Sequence, residues 1–279
     1  MSYDGYATMS VTVDDGVAWV TIDHPPINLL DLAMIQDLDR IGRQLESDDA
    51  VRVAVFGSAN PDFFIAHADV TLIQLMPKEP PPKSAALGPF HRMVDRFRTM
   101  PKATIALIEG IARGGGSEFA LSCDMRFGAL GRTVLAQPEV ALGIIPGGSG
   151  TQRLPRLVGR ARALEIILGC DDIPADVAER WGYLNRALPP GELRLFVEGL
   201  AYRIASFPAE AIALAKHCVD AGAGSLDEGL IEESWAFTKA IATESAKERM
   251  AAFMAAGGQT PEVERKLAGV VEALPRNRR

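Results

Sequence analysis

Cysteine and histidine are scarce in this chain, at 3 and 4 of 279 residues. Cys123, Cys170 and Cys218 lie far apart, with no CxxC pair, and cannot all pair with one another. They read as reduced thiols of a cytoplasmic protein. His24, His67, His91 and His217 are scattered and HExxH is absent, so no metal centre is expected. Positive charge is also short: 29 Lys and Arg face 36 Asp and Glu, a formal net charge of −7. That balance argues against duplex nucleic acid as a partner, which needs a cationic face. A local basic patch for a small anion stays open. No apolar run approaches the ~18 residues of a spanning helix. The N-terminal MSYDGYATMS carries neither the basic segment nor the apolar core of a signal peptide.

What is present is ordinary globular material. The chain is 48% hydrophobic and 23% charged, near the average of folded domains. Its length suits one large domain, or one domain with a smaller appendage.

Hydrophobic spacing gives a coarse map. Val11 and Val13 alternate with polar residues, and Asp15-Gly16 marks a hairpin turn. Leu32, Ile35, Leu38, Ile41 and Leu45 fall at helical spacing, with Asn28 or Asp31 as N-cap. VRVAVFG (51–57), ATIALIEG (103–110) and MRFGA read as strands, and FFIAHADV (63–70) as an apolar loop. MPKEPPPK (76–83) is a proline-rich surface segment, either a plain loop or a lid beside a ligand. Phe90 to Met100 predicts a helix stopped by Pro101, and FALSCD a short one. Strands and helices thus alternate through about residue 190, an α/β architecture. Thereafter 192–205, 208–220 and one long stretch, 226–255, predict helices, the last ended by Gly257-Gly258.

Two segments carry chemistry. In EGIARGGGSEFALSCD (109–124) a strand runs into Gly114-Gly115-Gly116 and then a helical run. A helix starting there aims free N–H groups at whatever lies over the glycines, an oxyanion site in outline. A tight turn with no ligand reads as well. The GxGxxG, phosphate-loop and GxSxG patterns all fail here, which demotes nucleotide binding by those routes and a serine hydrolase. In AQPEVALGIIPGGSGTQRLPR (136–156), Glu139 sits among apolar residues, where a carboxyl holds a raised pKa suited to acid–base work, unless it is an exposed or ion-paired turn residue. Arg153 and Arg156 read as structural or interface charges.

FFIAHAD, GGGSE and QPEVALGIIPGGSGTQRL, in this order and spacing, resemble the enoyl-CoA hydratase/isomerase (crotonase) superfamily over about residues 10–255. The resemblance implies a spiral of repeated ββα units, here 1–191, and a C-terminal helical region, 192–279, that packs subunits into trimers or hexamers. It implies a role in fatty-acid metabolism, with an acyl-CoA substrate and coenzyme A present only as part of it. The oxyanion donors would be the amides of Ala68 and Gly115, and Ala66, with His67 and Asp69 beside it, would meet the coenzyme. Both hydratase glutamates are matched, by Glu118 as base and Glu139 as acid, so enoyl-CoA hydration is the expected reaction. An isomerase, a lyase or hydrolase using one glutamate, or a paralogue that only binds acyl-CoA are the alternatives. Three departures from the family pattern stand out: His67 in place of Gly, Glu109 in place of Asn with Arg113 before the glycines, and RMAAFMAAGGQ where a basic cluster is usual. Glu109 and Arg113 could pair with each other, or Arg113 could edge the acyl pocket and favour a polar acyl group.

Overall fold

Two β-sheets share the strands of one winding chain. The computed structural model describes residues 2–76, 86–224, 226–257, 259–260, 263 and 267–274. The larger sheet holds β1 (Met9–Asp14), β2 (Val17–Ile22), β3 (Val53–Ser58), β5 (Ala103–Ile108), β7 (Met125–Ala129) and β10 (Arg186–Leu188), in that order. The smaller sheet holds β4 (Phe63–Ile65), β6 (Ile111–Arg113), β8 (Val134–Ala136) and β9 (Ile173–Pro174). Successive pairs β3/β4, β5/β6 and β7/β8 each place one strand in each sheet, and helices follow each pair. This is the expected ββα spiral. Apart from the β1–β2 hairpin, the larger sheet is parallel throughout.

The strand chemistry explains both cores. Side chains alternate between faces along a strand. Val53 and Val55 enter one core while Ala54 and Phe56 enter the other, and Ile105 and Ala106 divide the same way. A parallel sheet buried on both faces reads as a near-continuous apolar run, which ATIALI shows apart from Thr104, whose hydroxyl donates to the Phe97 carbonyl. Helix α1 (Leu32–Ser47) lies over one face, and its N-cap is Asp31, which accepts from Met34 N. Asn28 instead ties Ser58, Phe63 and Phe64 together through its amide. On the other face Leu193, Val197 and Ala201 of the helix Pro190–Ala205 pack against β3 and β5.

Helix α2 (Val70–Gln74) follows β4, and α3 (Pro89–Thr99) precedes β5. Residues 63–70 are therefore not all loop: Phe63–Ile65 pairs with β6, and Val70 opens α2. Helix α4 (Gly115–Ser122) follows β6. Phe119 of α4 sits edge-on to Phe56 and Phe97, with ring centroids 5.2 Å apart in both pairs, a favourable aromatic geometry. The proline-rich segment lies outside the described residues apart from Met76. The long helix expected over 226–255 is two helices, Leu226–Ala242 and Glu244–Ala255. Thr243 interrupts it, with an extended backbone and a side chain that caps the second helix by accepting from Ala246 N. Gly257, at φ +87, follows that helix. No described helix is long and apolar enough to cross a membrane.

Candidate active site

The glycine run works by contact. Gly114 caps α4 at φ +48, a conformation that side chains disfavour. A Cβ on Gly116 would lie 2.1 Å from the Ile65 carbonyl oxygen, so only glycine lets the helix start against β4. That approach brings Gly115 beside Ala68. A Cβ on Gly115 would lie 3.1 Å from Ala68 Cβ and 3.4 Å from Ala68 N. Ala68 is held by Leu30, whose N–H donates to His67 O (2.9 Å) and whose carbonyl accepts from Asp69 N (3.0 Å). The Ala68 N–H between them points away from this ladder. Among the described residues it meets no backbone acceptor, and neither does the Gly115 N–H.

Glu118 stands one turn into α4 and is buried. Its Oε1 accepts from Gly148 N (2.7 Å) and Gly150 N (2.8 Å). PGGSG thus opens a helix and also cradles this carboxylate. A Cβ on Gly148 would lie 2.6 Å from Glu118 Oε2 and 2.6 Å from Phe90 Cε1, so that glycine leaves room for Oε2 and the ring. Glu139 begins a 3-10 helix, Glu139–Leu142, ended by the left-handed Gly143. Its Oε1 lies over Gly114, and its buried Oε2 has no hydrogen-bond partner among the described residues.

A cavity of about 960 Å³ is walled by Leu30, Ala68, Phe90, Gly115, Glu118 and Glu139, among others. Asp69 also reaches its wall and caps α2, accepting from Thr71 N. Ala66 and His67 do not line it. The Ala66 amide donates to Ile27 O and its carbonyl accepts from Arg113 N. His67 has no positive φ, and its ring donates from Nδ1 to the Ala68 carbonyl at 2.8 Å. Glu109 and Arg113 do not pair. Arg113 forms a two-bond ion pair with Asp172, and Glu109 meets Arg194 at 3.2 Å. Glu109 lies in the turn between β5 and β6 and Arg113 ends β6 near β9, so they face different neighbours. Arg113 also stands off the cavity. Arg153 is structural, bonded to Ser149 and Asp95.

The two carboxyl groups differ in environment. Burial raises the pKa of Glu118, opposed by the N–H groups of Gly150 and Gly148, which favour the anion. Burial raises Glu139 further, to about 7, and the nearby Glu118 charge adds to the rise. Burial and the neighbouring charge thus favour the neutral form of Glu139, whereas two amide donors favour the anion of Glu118. A carboxyl whose folded pKa is raised binds more protons folded than unfolded. Stability then falls as pH rises from the ordinary value of 4.5 to about 7. The expected loss from Glu139 is up to about 3 kcal/mol. Urea unfolding at pH 5 and pH 8 measures it, and Glu139→Gln should shrink the difference.

A sequence model of the enoyl-CoA hydratase/isomerase family matches residues 12–259. The chain is 36% identical over 240 residues to a short-chain-enoyl-CoA hydratase of Clostridium acetobutylicum, covering 85% of this chain and 91% of that protein. It is 33% identical to a crotonyl-CoA hydratase of Syntrophomonas wolfei, covering 89% and 95%. Its fold is similar to the crystal structure of an enoyl-CoA hydratase from Bacillus anthracis, with a TM-score of 0.82, 31% identity, and coverage of 89% and 96%.

Proposed function

The chain belongs to the enoyl-CoA hydratase/isomerase family, and from that premise we infer an enoyl-CoA hydratase. It adds water reversibly across the 2-trans double bond of an acyl thioester of coenzyme A. The observation that carries this reading is one cavity walled by two electrostatically coupled carboxyl groups and by the residues of two free amides.

The substrate thioester oxygen accepts from Ala68 N–H and Gly115 N–H. Ionised Glu118, pinned through Oε1, takes a proton from water through Oε2. The water oxygen bonds to the β-carbon. The double-bond electrons move toward the α-carbon and the thioester oxygen, where the amides hold the enolate charge. Glu139 gives its proton to the α-carbon. The product gains one water, Glu118 ends protonated and Glu139 ionised, and a proton exchange restores the pair. The step is redox-neutral. Coenzyme A enters as part of the substrate, with Ala66, His67 and Asp69 assigned to it from the family resemblance.

The test is hydration of crotonyl-CoA, followed by loss of the absorbance of its conjugated thioester. No turnover on short, medium or branched enoyl thioesters rejects the reading. We also propose that a further copy of this chain covers the C-terminal helices. Ile231 and Trp235 of Leu226–Ala242, one turn apart, are 70% and 51% exposed, and Phe237 on another side of the helix is 66% exposed, large apolar side chains that water disfavours. Sedimentation should find a trimer or hexamer. Trp235→Asp with Phe237→Asp should shift it toward monomer.

A further inference from the structure

The cavity does not end at the two glutamates. It continues between α1 and α3, where Arg43, Arg92 and Arg96 line it. We propose that this end receives a carboxylate at the far end of the acyl chain, so that the preferred substrate is an enoyl thioester with an anionic tail. The inference rests on the hydratase reading and names the substrate class of that site.

The direction of the chain follows from the reacting centre. The thioester oxygen is fixed at Ala68 and Gly115, and the β-carbon lies by Glu118. Phe90 adjoins Glu118, since a Cβ on Gly148 would touch both. Phe90, Met93 and Arg96 follow at three-residue spacing on α3, and all three wall the cavity. Six residues of helix span ~9 Å, a length that a short acyl chain covers. Ile35 and Met93 make the intervening wall apolar.

Among the described residues, the charges at that end leave a cation over. Arg43 pairs with Asp39 at 2.6 Å, and Arg96 uses one terminal nitrogen on Glu46. Arg92 meets no carboxylate among the described residues and donates only to the Leu87 carbonyl. The stem of Arg96 passes against Gly42 of α1, where a Cβ would lie 3.0 Å from its Cδ. Its Nε–H is buried without an acceptor. A methyl-ended acyl chain places apolar atoms against the charge of Arg92, whereas a carboxylate meets that charge and the Arg96 guanidinium beside it. The polar preference that the sequence suggested for Arg113 thus falls to α3 instead, because Arg113 is spent on Asp172.

The test uses the full chain and two enoyl-CoA thioesters of equal length, one ending in methyl and one in carboxylate. The readout is the ratio of their kcat/KM values. The expected preference for the carboxylate is on the order of 10–100-fold. Arg92→Gln and Arg96→Gln should each cut the ratio several-fold, and Arg96→Lys should restore part of it. A ratio at or below one in the unaltered protein overturns the proposal. So does an equal loss on both thioesters that vanishes when pantetheine replaces coenzyme A, since the arginines would then be holding the carrier's phosphates. Turnover of the methyl-ended thioester alone overturns this inference and leaves the hydratase reading standing, whereas turnover of neither rejects both. If Arg96→Gln does not fold, the exposed Arg92 decides, because its replacement removes no carboxylate pair.

Discussion

Replacing Glu118 by Gln will lower kcat for hydration of crotonyl-CoA by about 10³-fold. The amide keeps the volume of the carboxyl group and one oxygen able to accept from Gly148 and Gly150. What it loses is the charge that draws a proton from water. Glu139→Gln should cost a similar factor, because the amide cannot deliver a proton to the α-carbon. The two losses should not multiply in the double variant, since neither group finishes the reaction alone. Stopped-flow or steady-state loss of the enoyl absorbance measures all three. If either single variant keeps more than about a tenth of the rate, that carboxyl is not a chemical participant, and a one-glutamate reaction such as double-bond isomerisation becomes the better description. The pH profile supplies an independent reading. With Glu139 at about 7, kcat/KM should decline above that pH, and Glu139→Gln should abolish this limb. The limb belongs to the coupled pair, so it should appear in the dehydration direction as well.

The second large effect is mechanical. Gly116→Ala puts a methyl group 2.1 Å from the Ile65 carbonyl oxygen. The obstacle is backbone, so no rotamer change relieves it. Helix α4 must move away from β4, carrying with it the Gly115 amide and the Glu118 carboxyl. A displacement of about 1 Å at a reacting centre costs on the order of 10²-fold in rate. The lost packing adds about 3 kcal/mol of destabilisation. Gly169→Ala is the control: that glycine has nothing within 4 Å of its missing Cβ, and the substitution should leave both rate and stability nearly unchanged. Urea unfolding with parallel kinetics separates the two glycines. Equal behaviour would mean that contact with β4 does not position the site.

Parts of this arrangement are legible in the chain because local chemistry writes them. Apolar runs bounded by turn residues mark β2, β3, β5 and β7, and Asp31 sits where a capping side chain belongs. Other parts escape because they depend on distant neighbours. Strands β6, β8 and β9 are two or three residues long, too short for any periodicity to show. Thr243 breaks a stretch whose apolar spacing reads as one helix. The pairing of Arg113 with Asp172 and of Glu109 with Arg194 joins residues 59 and 85 positions apart, which spacing along the chain cannot reveal. PGGSG reads as a helix entry, but nothing in it announces that its amides grip Glu118.

The sequence by itself determined the types of group available: two carboxyls, a glycine run that permits bare amides, and the alternation that makes an α/β spiral. It did so because backbone freedom, side-chain acidity and hydrophobic period are properties of residues and their near neighbours. The tertiary structure decided how burial and amide donors set the two carboxyls apart, that Ala68 and Gly115 come side by side, and which arginines reach the cavity wall. Those outcomes depend on burial and on contacts between remote segments, and such contacts exist only once the two sheets and their helices have packed.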